Sequence, residues 1–364
     1  MSDRGDAVPA HVEPVAAAPR MGASTADLAA AEDRRPGRAA RLSSAYRRVQ
    51  YFREGGLVVA VVVTGVTFTL INSTFADPYN LENIGSQISF VGVLAVAMTF
   101  VLITGEIDLS VGSMVAVAAI VFGLLLKHGL PVWQAIPLTL LTGCGMGAVN
   151  GALSLILRVP TIIITLGMLS VWRGVADQIA NGYPVGPFTQ KSSFWNLSTG
   201  RLFGHVPYDA AVLIGFALAA AFVLRRTTTG LHVYAAGSDR RAAVLAGLRM
   251  HRIRMGVLIF SGCAAAVSAL LAVAQSQVAD PNVGTGYELE AIAAVIIGGT
   301  KLSGGSGTVL GSVLGILLIG MIQNGLIIVG VSIYLLTVVS GLVVIAAVAI
   351  DRFFTRRREA AMSG

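Results

Sequence analysis

Charged side chains are scarce in this sequence, and lysine is nearly absent. Asp, Glu, Lys and Arg make up 12% of the 364 residues, whereas 55% are hydrophobic and the mean hydropathy is +0.76. A soluble domain of average composition carries about 25% charged residues. The composition therefore excludes an ordinary soluble globular protein, and only 3 of the 26 basic residues are lysines.

Cysteine is also rare. Cys144 and Cys263 are the two cysteines, and each lies inside an apolar run. They lack the spacing of metal ligands, and two cysteines in separate runs suggest no disulfide framework. We interpret both as small, buried packing residues, and we expect no metal site on this chain.

A nucleotide-binding loop is missing as well. The pattern G-x-x-x-x-G-K-[ST] occurs nowhere, and no strand precedes the glycine-rich stretch GGSGTVLG (304–311). Gly307, Gly311 and Gly315 recur every four residues, which lines one face of a membrane helix with glycine and lets a second helix approach closely. We therefore predict helix packing here, and no cofactor bound by this chain.

Long apolar runs fill most of residues 55–351. Each is about 20 residues long, the length that a helix needs to cross a bilayer. They predict an all-α fold, a polytopic transmembrane helical bundle of about ten spans. The span at 288–300 is short and interrupted by glycine, so a re-entrant element is an alternative there. The predicted spans are 56–75, 84–104, 110–127, 132–157, 161–180, 209–225, 254–276, 288–300, 307–328 and 332–350.

Arginine marks the ends of these runs. Nine of the 23 arginines precede residue 54, seven lie in 225–254 and four lie in 352–358. The positive-inside rule places such segments in the cytoplasm, so we expect both termini there. The net charge of +7 is then a signal of topology and not of nucleic-acid binding. Residues 1–54 are predicted to be a disordered basic tail, and residues 352–364 a second cytoplasmic tail.

The cytoplasmic loop at 226–253 contains a short predicted helix. Ser238 or Asp239 can cap its start, and AAVLAGL (242–248) gives an apolar face flanked by arginines. A helix of about ten residues cannot cross a membrane, but it can lie in the interface or dock in a partner's groove. A positively charged topology anchor is the alternative interpretation.

The stretch GEIDLSVGS (105–113) places two carboxylates between two apolar runs. We expect a cytoplasmic turn here, with Asp108 capping the helix that begins near Ser110. Glu106 is expected to be solvated in that turn. Facing a cytoplasmic gate and pairing with Lys301 are the two alternatives for Glu106.

Five stretches resemble the membrane-spanning permease subunits of ATP-binding-cassette (ABC) sugar importers of the ribose, xylose and galactose type. Together they cover most of residues 80–350, in the order in which the family has them. Glu106 departs from the pattern, because the family often has GGIDLS where this chain has GEIDLS. The stretches are ITGEIDLSVGS (103–113), PTIIITLGMLSVWRG (160–174), TTGLHVYAAGSDRRAAVLAGL (228–248), GTGYELEAIAAVIIGGTKLSGGSGTVLGSVLG (284–315) and NGLIIVGVSIY (324–334).

The resemblance implies a type II ABC-importer-like permease in the bacterial plasma (inner) membrane, surrounded by lipid. Two permease subunits, identical or different, would pair around one pore. A separate double-cassette ATPase would bind ATP and Mg on the cytoplasmic side, and a periplasmic or lipid-anchored sugar-binding protein would deliver the sugar. The residues that would couple this chain to the ATPase are Ser238, Asp239, Arg240, Arg241, Ala246 and Gly247.

Polar residues inside the spans are the candidates for the sugar pathway. Sugars are neutral and rich in hydroxyls, so their pathway needs hydrogen-bonding groups and few charges. Hydrogen bonding between helices is the alternative role for each candidate. Arg173 is expected to reach the outer headgroups or to pair with Asp177. The pathway candidates are Asn150, Thr165, Gln178, Gln323 and Asn324.

Other substrates and other classes of protein stay open at this point. The same scaffold would suit an ABC permease for a polyol or for a furanosyl signalling molecule. An ion-coupled sugar carrier would need ionisable groups near the middle of the membrane, where the predicted spans hold few. A scaffold or receptor without transport is a third class, and the many polar groups inside the spans argue against it.

Overall fold

A computed structural model gives the fold of the chain. It describes residues 54–188 and 192–332, together with residues 334–339, 341, 342, 345 and 349. Apart from Glu54, the predicted tails at 1–54 and 352–364 lie outside the described residues, as does part of the last predicted span.

The described chain is built almost entirely from α-helices. Seven of them are long and apolar enough to cross a membrane, namely α1, α2, α4, α5, α7, α10 and α12 as defined below. The predicted polytopic helical bundle is thus confirmed. The helices are α1 (Glu54–Ile71), α2 (Pro78–Ile103), α3 (Val111–Lys127), α4 (Val132–Ile156), α5 (Thr161–Ala180), α6 (Asn196–Thr199), α7 (Tyr208–Arg226), α8 (Thr228–Ser238), α9 (Arg240–Leu245), α10 (Met250–Ser276), α11 (Tyr287–Ile297) and α12 (Val309–Ile328).

Between α5 and α7 the chain forms a small structure outside the long helices. Strands β1 (Arg201–Leu202) and β2 (Val206–Pro207) pair in antiparallel register, with Arg201 opposite Pro207. An ion pair between Arg201 and Glu82, at the start of α2, attaches this hairpin to the bundle.

Helix α2 lies at the centre of the bundle, and its residues from Ser89 to Ile103 are buried. It packs against α7, α10, α11 and α12. A helix that is apolar on all sides can be enclosed in this way without leaving polar groups unpaired. The core of the protein is therefore organised around α2.

Helices α4 and α10 pack closely because glycines face each other across their interface. A Cβ atom on Gly143 would collide with the carbonyl oxygen of Gly262, and one on Gly262 with that of Gly143. Such close backbone approach is the usual source of helix association in lipid. Cys144 and Cys263 flank this contact; they are partly exposed, not buried as predicted, and their side chains hydrogen-bond to each other.

Helix α11 is too short to cross a membrane. Its 11 residues span about 16 Å, against about 30 Å for the hydrocarbon core. The segment predicted as a span at 288–300 is therefore a short, buried helix, in agreement with the re-entrant alternative. A Cβ on Gly315 would strike the backbone of Ala294 in α11, and one on Gly311 would strike Gly298, directly after α11. These two α12 glycines make the predicted close packing, whereas Gly307 faces Thr300 in the connecting loop.

The bundle has two chemically different ends. The arginine-rich end, a name kept below, comprises α8, α9, the start of α10 and the loop 298–308. The opposite end carries the hairpin and the loop 277–286, which is joined to the segment after α5 by a bridge between Val185 and Ala279.

Candidate functional site

The predicted coupling helix is present at the arginine-rich end, as α9. Asp239 begins it, because its carboxylate accepts hydrogen bonds from the backbone N–H groups of Arg241 (2.9 Å) and Ala242 (3.0 Å). Ser238 is not the cap: it ends α8, and its hydroxyl donates to the carbonyl oxygen of Tyr234. Gly247 ends the turn after α9 with a φ of 83°, a conformation that suits glycine.

Helix α9 exposes apolar side chains beside positive charges. Leu245 is 89% exposed and Val244 is 55% exposed, whereas Ala243 faces the bundle. Arg240 and Arg241 are both exposed beside them. A large exposed leucine on a helix of six residues, flanked by arginines, has the form of a surface that docks into a partner.

Helix α8 carries α9 and rests directly on the turn that ends α2. A Cβ on Gly237 would overlap the carbonyl oxygen of Ile103, so the two backbones touch. The Ile103 carbonyl accepts a hydrogen bond from the backbone N–H of Gly305 (2.8 Å). The hydroxyl of Tyr234 donates to the carbonyl oxygen of Gly307 (2.8 Å). Helix α8, which carries the predicted coupling helix, is thus in contact with both α2 and the loop before α12.

Glu106 joins three helices at this end. Its carboxylate accepts a hydrogen bond from Arg254 Nε on α10 (2.7 Å) and another from the hydroxyl of Thr161 on α5 (2.6 Å). Arg240 Nη1, on α9, lies 3.9 Å from the same carboxylate. Only 12% of the Glu106 side chain is exposed.

The prediction that Glu106 is solvated is therefore wrong. No ion pair joins it to Lys301 in the described part of the chain. The reason is that the segment after α2 turns inward, so that Glu106 faces α5 and α10 instead of water. Ser110, grouped with Glu106 in the predicted turn, is fully buried.

Asp108 lies still deeper and is fully buried. Its carboxylate accepts hydrogen bonds from the backbone N–H of Ser110 (3.0 Å), the Ser110 hydroxyl (2.7 Å) and the Ser261 hydroxyl (2.7 Å). Ser261 is 11 residues beyond the start of α10, which is about 16 Å along the helix. Three donors offset the cost of placing this carboxylate at membrane depth.

The predicted role of Asp108 as a helix cap is also wrong. Ser110 occupies the cap position of α3, and Asp108 binds the N–H of Ser110 itself. A capping side chain would bind an N–H two or three residues into the helix. Asp108 instead fixes the non-helical segment between α2 and α3 against α10.

Asn150 and Thr165 hold the other side of this segment. The Asn150 amide donates to the Ser110 hydroxyl (2.7 Å) and accepts from the Trp172 indole (3.1 Å). The Thr165 hydroxyl accepts from the backbone N–H of Leu109 (3.1 Å) and lies 3.1 Å from the carbonyl oxygen of Ile107. These contacts join α3, α4 and α5 through buried polar groups.

Three of the five predicted pathway residues are therefore enclosed within one chain. Asn150 and Thr165 have no exposed surface, and Asn324 is 5% exposed and exchanges two amide hydrogen bonds with Asn80. In this structure the three make interhelical hydrogen bonds, the alternative role considered for them, and their pathway role stays a prediction. Gln323 is partly exposed and hydrogen-bonds to Glu290 on α11.

The structure shows an exposed face on α5 that includes one of the predicted pathway residues, Gln178. Gly167, Ser170, Gly174 and Gln178 are exposed on α5 at helical spacing. Gly167 and Gly174 have open space where a side chain would extend. Ile163 and Val171 are also exposed on this side of α5. The small and polar residues among them favour contact with protein or water over contact with lipid.

Arg173, on the same helix, binds a loop of the chain. Its Nη1 donates to the carbonyl oxygens of Pro281 (2.6 Å) and Val283 (3.1 Å). It therefore holds the loop between α10 and α11 against α5. Among the described residues no cluster of three or more His, Cys, Asp or Glu side chains is arranged to bind a metal ion.

Comparisons with known proteins agree with this architecture. The profile of the family described as branched-chain amino acid transport system / permease component matches residues 80–348. The chain is 35% identical to the ribose import permease protein RbsC of Escherichia coli K12, over 84% of this chain and 95% of that protein.

Two further relatives carry other substrates in their names. The L-arabinose ABC transporter permease protein AraH of Azospirillum brasilense is 31% identical, over 85% of this chain and 91% of AraH. The autoinducer 2 import system permease protein LsrD of Yersinia pestis (strain Pestoides F) is 33% identical, over 83% of this chain and 91% of LsrD.

Proposed function

This chain belongs to the permease components of ABC importers, and we propose that it forms the translocation pathway for a monosaccharide, a ribose-like pentose or a related sugar. Two of the three relatives described above are named for pentoses, ribose and arabinose. The family description names amino acids. The sugar permeases match over more than four fifths of the chain, and we therefore propose a sugar as the substrate. A furanosyl signalling molecule, favoured by the likeness to LsrD, is the alternative substrate.

The observation that carries the proposal is the arrangement around α9. An exposed leucine lies between arginines on a helix outside the membrane-spanning segments, and Arg240 on the same helix lies 3.9 Å from Glu106. Movement of α9 would therefore reach α5 and α10 through one carboxylate. We propose that the partner docking on α9 is a separate double-cassette ATPase, which binds ATP and Mg.

The exposed face of α5 is our candidate for the pathway itself. We propose that two copies of the chain place these faces on opposite sides of one pore. Ser170 and Gln178 would offer hydrogen bonds to sugar hydroxyls, and Gly167 and Gly174 would leave room for the sugar to pass. Because Gly174 faces open space, a Gly174→Trp variant should fold and assemble yet block uptake.

The two chemically different ends of the bundle indicate how the chain is oriented in the membrane and where a binding protein would dock. We place the arginine-rich end and both termini in the cytoplasm of a bacterial cell, with the chain in the plasma (inner) membrane. The opposite end, with the hairpin and the loop 277–286, would receive sugar from a periplasmic or lipid-anchored binding protein. We expect no cofactor on this chain and no contact with nucleic acid.

Uptake by the reconstituted complex tests the proposal. The chain, its ATPase and its binding protein would be placed in vesicles, and labelled ribose, arabinose, autoinducer 2 and leucine compared with and without ATP. We expect ATP-dependent uptake of a pentose that a proton ionophore does not abolish. Uptake of leucine alone, or pentose uptake that needs a proton gradient and no ATPase, would contradict the proposal.

A further inference from the structure

A deep apolar cavity opens between α7, α8 and α10 near the arginine-rich end. Its volume is about 450 Å³. Three aromatic rings form part of its wall: Phe216 stacks on Phe260 with ring centres 5.4 Å apart, and Phe100 meets Phe260 edge-on at 5.0 Å. None of the contacts described for Glu106 or Asp108 involves this cavity.

The mouth of the cavity is polar and positively charged. Thr229 and His232 on α8 and Arg252 on α10 line it and are all exposed. Within the described residues, Arg252 forms no ion pair with a carboxylate. The Arg252 guanidinium and the His232 imidazole thus lie at one edge of the cavity, and the rest of its wall is aromatic and aliphatic.

The two parts of the cavity lie at different depths. Arg252 is the third residue of α10, and Phe260 follows eight residues later, about 12 Å further along the helix. Helices α7 and α10 are both long enough to span the membrane. The charged mouth therefore lies at the level of the headgroups, and the apolar body lies at the level of the acyl chains.

We propose that this cavity binds an anionic phospholipid, with one acyl chain between α7 and α10 and the phosphate at Arg252 and His232. Charge complementarity selects an anionic headgroup, since basic pockets between membrane helices on the arginine-rich side suit such headgroups. The apolar body selects a lipid over free phosphate. At this depth the surrounding bilayer supplies the chain that fills the cavity.

The lipid would support the docking segment. His232 and Thr229 belong to α8, which carries α9, so a bound phosphate would tie α8 to the start of α10. The proposal does not depend on which sugar is transported. It concerns a surface separate from α9 and from the exposed face of α5.

Two variants test the two halves of the site. Gly256 lines the cavity, and a Cβ there meets nothing within 4 Å, so Gly256→Leu should fill the cavity without disturbing the helix. Arg252→Gln removes the cation from the mouth. The matched controls are Gly145→Leu, on α4 and also open, and Arg158→Gln, at an exposed arginine that does not line the cavity.

The full chain would be reconstituted in nanodiscs of equal parts phosphatidylcholine and phosphatidylglycerol, released into mild detergent, and its retained lipids counted by native mass spectrometry. We expect preferential retention of phosphatidylglycerol by the parent and both controls. Arg252→Gln should lower that retention about fivefold, and Gly256→Leu should remove it.

Three outcomes of the lipid count would overturn the proposal. In the first, the parent retains phosphatidylcholine and phosphatidylglycerol equally. In the second, both test variants retain as much phosphatidylglycerol as the parent. In the third, the control variants lose as much phosphatidylglycerol as the test variants. Loss of ATPase binding by Gly256→Leu with phosphatidylglycerol still retained would also overturn it, because the cavity would then be a protein-docking site.

Discussion

The carboxylate of Glu106 accepts a 2.7 Å hydrogen bond from Arg254 Nε, although the two residues are 148 positions apart in the chain. Both side chains are largely enclosed, at 12% and 13% exposed. Thr161 donates to the second oxygen of Glu106. This contact ties the segment after α2 to α5 and α10 at the end of the bundle that bears α9.

Replacing Glu106 with Gln should weaken this junction without unfolding the protein. Glutamine keeps one acceptor oxygen but loses the charge, which leaves Arg254 partly buried without its counter-charge, at a cost of about 1–3 kcal/mol. We expect the thermal midpoint to fall modestly and ATP-driven uptake to fall about tenfold. Uptake and ATPase activity would be measured on the same reconstituted complex.

Glu82→Gln is the matched control for this variant. It also removes a carboxylate from an ion pair with arginine, but Arg201 is 39% exposed and the pair lies at the opposite end. Ion pairs with this much exposure contribute about 0–1 kcal/mol to the stability of the fold. If both variants lost uptake equally, or if Glu106→Gln transported normally, a coupling role for Glu106 would be untenable.

Removing the Asp108 carboxylate should destabilise the whole bundle. Asp108→Ala leaves the N–H and hydroxyl of Ser110 and the hydroxyl of Ser261 without their acceptor in a buried site, at roughly 2–5 kcal/mol. We expect low yield and a clearly lower thermal midpoint in detergent. Asp108→Asn should be milder, because its oxygen still accepts from Ser110 and its amide can donate to Ser261. Equal stability of both variants and the parent would show that these hydrogen bonds contribute nothing.

The sequence predicted the helices well because apolar runs report burial in lipid directly. It also located α9, since Asp239 and the apolar run after it are local features. Its errors at Glu106 and Asp108 share one cause. The chain between α2 and α3 folds inward without regular secondary structure, and no local pattern records which helices then surround it.

The enclosure of three pathway candidates has a related cause. A polar residue in an apolar run is visible in the sequence, but the face of the helix on which it lies relative to its neighbours is not. Asn150 and Thr165 point into the bundle, whereas Ser170 and Gln178, a few residues on, are exposed. Arg254 was counted only as a topology signal, because its partner is remote in sequence.

Leu245 on α9 should be required for binding the ATPase and not for folding. It is 89% exposed, so Leu245→Asp removes no contact within the chain and should leave the thermal midpoint unchanged. It places a charge in the middle of the docking surface, and we expect loss of ATPase copurification and of uptake. Tyr183→Asp, a 74% exposed residue at the opposite end, is the control and should keep ATPase binding. Normal ATPase binding by Leu245→Asp would exclude the tip of α9 from the interface.

Two glycines on α4, two residues apart, should respond oppositely to the same substitution. A Cβ on Gly147 would overlap the carbonyl oxygen of Leu258 on α10, whereas a Cβ on Gly145 meets nothing within 4 Å. Gly147→Ala must therefore push α4 away from α10, at about 1–3 kcal/mol, with a lower thermal midpoint. Gly145→Ala makes no new contact and should raise stability by up to about 1 kcal/mol through helix propensity. Because both changes add one methyl group to the same helix, equal effects on the thermal midpoint would show that close backbone approach between α4 and α10 is not what holds this interface together.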